Sequence, residues 1–168
     1  MFFILDTCFM NHCRELNAQD VLDIKPILAE FSLAITQEVK KEILHYGINN
    51  FMGIDNFIIL PVSHDDYHNF HLKNEFLSDL DKADQSIWIA GMKNREKNYL
   101  ILSDDGQLVN ECQLYQIKAL RLPSFLIFLA KNDIIEKNTI YKCLKFWESV
   151  GRFNKHDLKA WKEILNEL

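Results

Sequence analysis

Two short runs, Phe2–Leu5 (FFIL) and Tyr99–Leu102 (YLIL), do most to restrict the fold, because both are almost wholly apolar and both lead into acids. Hydrophobicity without alternation suits a central parallel strand covered on both faces. Asp6 follows the first run directly, and Ser103-Asp104-Asp105-Gly106 follows the second. In an open parallel sheet, ligands gather beyond the carboxyl ends of the strands, near the point where strand order reverses. Strands this hydrophobic would carry both sets of carboxylates to that edge. An acid after a strand is also ordinary turn and helix-cap chemistry, so neither position decides anything alone.

The intervening sequence alternates helical and strand patterns. Residues 8–16 form one helical stretch. Residues 19–30 form a second, striped by Val21, Leu22, Ile24, Ile27, Leu28 and Phe31, with Pro26 expected to kink or split it. A short strand at 32–35 leads to Thr36, a suitable cap for a helix over 37–46, with Gly47 just past its end. Residues 57–60, stopped by Pro61, read as another buried strand. Ser63 starts a polar helix expected to reach about residue 78, and a further helix spans 82–94. Beyond the 99–102 strand come a helix at 107–114, a short strand at 116–119, and helical patterns over 123–131, 137–149 and 155–167. This order predicts an α/β fold with a mainly parallel sheet. We expect a single domain, with an α/β core over about 1–120 and a helical extension over about 121–168 packed on it.

A chain of 168 residues with 48% apolar and 26% charged side chains can bury a substantial core as one domain. Three prolines and five glycines leave little room for a linker or a disordered tract. No apolar run approaches the roughly 18 residues of a membrane span, and MFFILD lacks the basic start of a signal peptide. Cys8, Cys13, Cys112 and Cys143 show no paired spacing and read as reduced thiols of a cytoplasmic protein. The net charge of −5 argues against a broad basic face for nucleic acid, but a cleft of cation-holding acids would itself make the total negative.

Two more acids sit where helices could present them. Glu42 borders the apolar stripe of ITQEVKKEIL, and on spacing alone it and Glu38 are ordinary helix-surface acids. Asp84 lies in the first turn of LDKADQSIWIAG, where the helix macrodipole favours any acid and Asp81 suits the N-cap. That helix is apolar enough to be buried, so its N-terminus would open into a cleft. Two strand ends and two helices could thus focus four carboxylates on one point. Such a group repels itself unless cations neutralise it, and all-oxygen donors select Mg²⁺ or Mn²⁺ over zinc.

In this order the segments FFILDT, ITQEVKKEI, LDKADQSIWIAG and YLILSDDG resemble the PIN-domain nucleases over roughly residues 1–120. The tail, LRLPSFLIFLAKNDII followed by KFWESVGRF, resembles the helical ending of a small prokaryotic, often archaeal, VapC-like subgroup of toxin ribonucleases. The resemblance implies a three-layer α/β/α fold and Mg²⁺- or Mn²⁺-dependent endoribonuclease activity on an RNA substrate. It also implies a homodimer and inhibition by a small antitoxin. Carried over residue by residue, Asp6, Glu42, Asp84 and Asp105 become the catalytic, metal-holding acids. Asp104, next to Asp105, stands as a further candidate ligand, and Thr7 and Ser103 would orient the carboxylates or a water. Two departures are a missing basic arm near the site and Gly91 in place of an expected alanine, the latter of little expected consequence. A catalytically silent binding module and a structure-specific DNA nuclease are the alternatives.

Other constellations are weaker. His64, His68 and His71 share a helical face and could bind zinc or nickel, but a solvated polar helix explains them as well. Cys8, His12 and Cys13 lack a second zinc-binding pair. No phosphate-binding glycine loop is present. Trp88, Trp147 and Trp161 are expected in the core or an interface.

Overall fold

The computed structural model describes residues 1–74 and 79–168. Five strands, β1 (Phe2–Leu5), β2 (Ser32–Thr36), β3 (Ile58–Leu60), β4 (Tyr99–Leu102) and β5 (Ala119–Leu120), form one sheet in the order β3-β2-β1-β4-β5. Every pairing is parallel, with Ile4 beside both Ala34 and Ile101. β1 is central and β4 is inboard of β5, so side chains of both strands are buried on both faces, which is why the unbroken apolar runs fall there. The chain first builds outward from β1 to β2 and β3, then returns to place β4 and β5 on the other side. The strand order therefore reverses between β1 and β4, opening a crevice at their carboxyl ends.

Helices flank the sheet to give the expected three layers. Those of the first part are α1 (Thr7–Ala18), α2 (Lys25–Ala29), α3 (Gln37–His45), α4 (His64–Lys73), α5 (Lys82–Lys93) and α6 (Gly106–Leu114). α3 and α5 pack on β2 and on one another. The extension is α7 (Leu122–Lys131), α8 (Lys137–Ser149) and α9 (Lys155–Asn166), which pack together. The extension is continuous with the main core: the Phe125 ring lies 5.2 Å from that of Phe3 and 5.9 Å from that of Phe9. Trp88, Trp147 and Trp161 are all buried. Cys8, Cys13, Cys112 and Cys143 are free thiols. Among the described residues no helix is long and apolar enough to cross a membrane.

Several local expectations need correction. The 19–30 helix shrinks to α2, because Asp20 adopts a left-handed conformation at φ 52° and ends α1, while Pro26 occupies the first turn of α2, where its missing N–H costs nothing. β3 is an edge strand with Ile58 and Ile59 exposed, not a buried one. The last strand begins at Ala119 because Gln116, at φ 59°, terminates the preceding helix. Residues 75–78 of the expected fourth helix lie outside the described residues. Gly91 has a packing role after all. A Cβ there would meet Ile117 Cγ2 at 2.8 Å and Ile101 Cδ1 at 2.9 Å, closer than packed atoms tolerate.

Candidate metal-binding cleft

The local sequence holds each acid by a different device. Asp6 is the N-cap residue of α1, yet its carboxylate makes no capping hydrogen bond. Instead Oδ2 accepts from the Ser103 hydroxyl at 2.6 Å and from the Cys8 thiol. Ser103 thereby ties the end of β4 to the end of β1, and its Oγ also accepts the Asp105 N–H at 3.0 Å. Asp105 caps α6 through Oδ1, which accepts the Leu108 N–H at 2.7 Å. Glu42 is held by the Thr7 hydroxyl, which donates to Oε2 at 2.6 Å. Asp84 sits in the first turn of α5, whose N-cap Asp81 accepts the Asp84 N–H at 2.9 Å. No hydrogen bond reaches the Asp84 carboxylate from the described residues.

A second hydroxyl pair fixes α3 against α5. Thr36 caps α3 by accepting from Val39 N, and its Oγ1 lies 2.6 Å from Ser86 Oγ on α5, in full burial. Ser86 already donates its one proton to the Ala83 carbonyl at 2.6 Å, so Thr36 donates to Ser86. One threonine at the end of β2 therefore sets the helices bearing Glu42 and Asp84.

These elements bring five acids, Asp6, Glu42, Asp81, Asp84 and Asp105, to one cleft of about 370 Å³ at the carboxyl ends of β1 and β4. Thr7 and Cys8 also line it, as do Arg14 from α1 and Tyr46 at the end of α3. The cleft is electrostatically strained. Burial, reinforced by Asp6, Asp81, Asp105 and Glu42, raises the Asp84 pKa from 3.8 to about 8. Burial likewise raises Asp6 to about 6 against the opposing pull of its Cys8 and Ser103 hydrogen bonds. Glu42 is raised too, first by burial, with the Thr7 hydroxyl opposing. Burial and the neighbouring Asp6 push the Cys8 thiol far up, so it stands as a neutral donor.

A larger hollow of about 510 Å³ lies at the other end of the sheet, beside the starts of β2 and β3, with Lys25 its one charged side chain among the described residues. Its chemistry is poorer, and the acid cleft is the better candidate.

No protein-family model matches this chain, and no curated protein matches it. Among solved structures, a PilT N-terminus domain protein from the hyperthermophilic archaeon Sulfolobus solfataricus P2 is similar in fold. The alignment covers 75% of this chain and 91% of that one, at 15% identity and a TM-score of 0.46.

The donor set suits a hard divalent cation, being all carboxylate with no imidazole and a thiol that stays protonated. Among the described residues, however, no three His, Cys, Asp or Glu side chains are placed to hold a metal ion by themselves. The acids border the cleft without closing into a cage. That arrangement fits magnesium better than a dedicated all-protein site, because Mg²⁺ keeps several waters and takes one or two carboxylates plus substrate phosphate.

Asp104 is not part of this cleft. Its Oδ2 lies 2.6 Å from His12 Nδ1 and its Oδ1 accepts the Leu122 N–H at 2.8 Å, with the side chain fully buried. It ties α1 and β4 to the start of the helical extension. His64, His68 and His71 are all exposed on α4 and join no metal-ligating group among the described residues. Sequence reasoning passed over Arg14, and Tyr46, which sits at core spacing with Ile35, Val39 and Ile43, is exposed in the structure instead. The available signal was spacing: Thr7, Asn11 and Arg14 fall at i, i+4 and i+7 on α1, and Tyr46 falls four residues after Glu42.

Proposed function

We propose that this chain is a PIN-type, Mg²⁺- or Mn²⁺-dependent endoribonuclease that hydrolyses RNA phosphodiester bonds at the acid cleft. The observation that carries the reading is the convergence of Asp6, Glu42, Asp84 and Asp105, from two strand ends and two helices, on one crevice. There Asp84 is pushed to about 8 by burial and by its acidic neighbours. Burying mutually repelling carboxylates without a hydrogen-bond donor for Asp84 costs stability, and a bound cation repays it.

Asp6, Asp84 and Asp105 are the candidate ligands, one or two of them at a time holding a cation whose remaining positions fall to water and substrate phosphate. When bound, Mg²⁺ or Mn²⁺ supplies positive charge to the phosphoryl oxygens and makes water a stronger nucleophile near neutral pH. Ser103 and Cys8 occupy one oxygen of Asp6, and the α6 backbone occupies one of Asp105, which fixes the direction each carboxylate faces. Glu42, steadied by Thr7 and raised above its ordinary pKa, is suited to accept the proton of an attacking water on the cleft side.

The test is cleavage of a labelled mixed-sequence RNA in Mg²⁺, Mn²⁺ or EDTA, beside Asp6→Asn. Metal-dependent cutting lost in the variant is expected, and a fully active Asp6→Asn protein would sink the assignment. The second reading, a catalytically silent binding module, draws on the absence of a closed ligand cage among the described residues. Titration calorimetry showing no binding of Mg²⁺ or Mn²⁺ would favour it. The likeness of the tail to toxin ribonucleases supports a homodimeric toxin held inactive by a small antitoxin. Growth arrest on expression, relieved by a small protein encoded immediately upstream, would test that role.

A further inference from the structure

Two side chains in the cleft have no evident duty in holding the fold. Arg14 lines a crevice with five acids, yet its guanidinium donates to the neutral Asn11 Oδ1 at 2.7 Å and, among the described residues, pairs with no carboxylate. Tyr46 lines the same crevice with 60% of its surface exposed, its ring edge-on to His45 at 4.9 Å. Both are placed by helix geometry. Thr7, Asn11 and Arg14 form one stripe of α1, which puts Arg14 about 10 Å along the helix from the acids. Tyr46 stands one turn beyond Glu42 on α3, about 6 Å along its axis. Both helices thus lead outward from the carboxylates, one to a cation without an acidic partner and the other to an uncovered aromatic ring.

We propose that Arg14 and Tyr46 form the substrate-gripping end of the cleft, the guanidinium taking an RNA phosphate next to the reacting one and the Tyr46 ring stacking on an unpaired base. This rests on the nuclease reading above. Among the described residues Arg14 is the only cation lining the cleft, in a chain of net charge −5, so phosphate contacts alone supply little affinity. Stacking needs no charge and works with any base, but only where the base face is free, as it is in a single strand and not within a duplex. The pair therefore selects single-stranded RNA by structure with little demand on sequence.

The experiment measures anisotropy of a fluorescein-labelled single-stranded RNA of mixed sequence, and of the same RNA as a duplex, with Mg²⁺. The protein carries Asp84→Asn to switch off cleavage, and cutting is read separately with Asp84 intact. Tyr46→Ala should weaken single-strand binding about 5- to 10-fold, at the low end for one stacked base, while Tyr46→Phe retains it. Arg14→Ala should weaken binding and lower the salt slope by about 0.7, the value of one phosphate contact on a single strand. The duplex should bind more weakly and respond less to Tyr46→Ala. Unchanged binding in both alanine variants, equal loss in Tyr46→Phe and Tyr46→Ala, preference for the duplex, or no single-strand binding by the parent protein would each overturn the proposal. Cleavage lost with Asp84→Asn but indifferent to Arg14 and Tyr46 sinks only this inference. Binding that follows the predicted pattern in a protein that never cuts sinks only the nuclease reading.

Discussion

Replacing Asp84 by asparagine should make the metal-free protein more stable and, under the proposed function, inactive. Asp84 goes from a pKa of 3.8 to about 8 on folding, driven by burial and then by Asp6, Asp81, Asp105 and Glu42. At 1.36 kcal/mol per unit, that shift sets a ceiling of about 6 kcal/mol on the strain of ionising this carboxyl in the folded state. The cleft is open and Asp84 only part-buried, so solvent screening brings the usable figure to about 1–3 kcal/mol. Asparagine keeps the shape but gives up the charge–dipole attraction in the first turn of α5, about 0.3–1 kcal/mol. A net gain of about 1–2 kcal/mol remains, or about 2–8 °C in melting temperature for a chain this size.

The pH dependence identifies the cause. Because the folded pKa lies above the unfolded one, the native state keeps a proton that the unfolded chain releases. The stability contributed by neutral Asp84 is complete below pH 3.8 and is lost as pH rises through about 8. In EDTA the wild-type melting temperature should therefore fall between pH 5 and pH 8 more steeply than that of Asp84→Asn, with the two converging toward pH 5. Added Mg²⁺ should reverse the order at pH 8, since a ligand that binds only the native state stabilises it by mass action. Differential scanning fluorimetry across that grid is sufficient. A variant that melts below wild type at pH 8 in EDTA, or a difference independent of pH, refutes the claim that the cleft is strained by its own charges.

Asp105→Asn should keep the α6 cap, since asparagine caps as well as aspartate, yet lose Mg²⁺-dependent stabilisation and RNA cleavage. Asp104→Asn should do the reverse, costing about 1–3 kcal/mol in urea unfolding by disturbing the buried contacts to His12 and Leu122 N while leaving metal-dependent stabilisation in place. Thr36→Val removes the α3 cap and the donor to Ser86 together, with an expected loss of about 2 kcal/mol and a weaker response to Mg²⁺. Gly91→Ala gains about 1 kcal/mol of helix propensity but presses a methyl on Ile117 and Ile101. Chemical denaturation should show a net loss of about 1 kcal/mol, and a smaller one in an Ile101→Val background, where the Cδ1 that the methyl meets is gone.

The sheet and four cleft acids were legible because the sequence writes them in its strongest code. FFIL and YLIL have to be covered on both faces, and a residue just past such a strand has one edge to go to. Thr36 and Asp81 were legible as caps because capping is local chemistry, decided within four residues. What was lost depended on partners far along the chain. Whether residues 57–60 face core or solvent depends on what lies beyond β3, and among the described residues nothing pairs there. The importance of Gly91 depends on Ile101 and Ile117, ten and twenty-six residues away, whose side chains fill the place of its missing Cβ.

Asp104 and Asp105 show the same limit at its narrowest. They are identical in type and adjacent in sequence, and no count of spacing assigns them different duties. The backbone does so by sending successive side chains to opposite sides as β4 ends. Asp105, whose N–H returns to Ser103 and whose carboxylate caps α6, is left facing the cleft. Asp104 turns inward to His12 of α1 and the first turn of α7. The neighbouring residue of the cleft is thereby bolted to the extension that Arg121 further anchors, pairing with Asp157 at 3.0 Å and stacking over Phe153 and Trp161. An extension held this close to the cleft acids is part of what keeps β4's end, and with it Ser103 and Asp105, in register with Asp6.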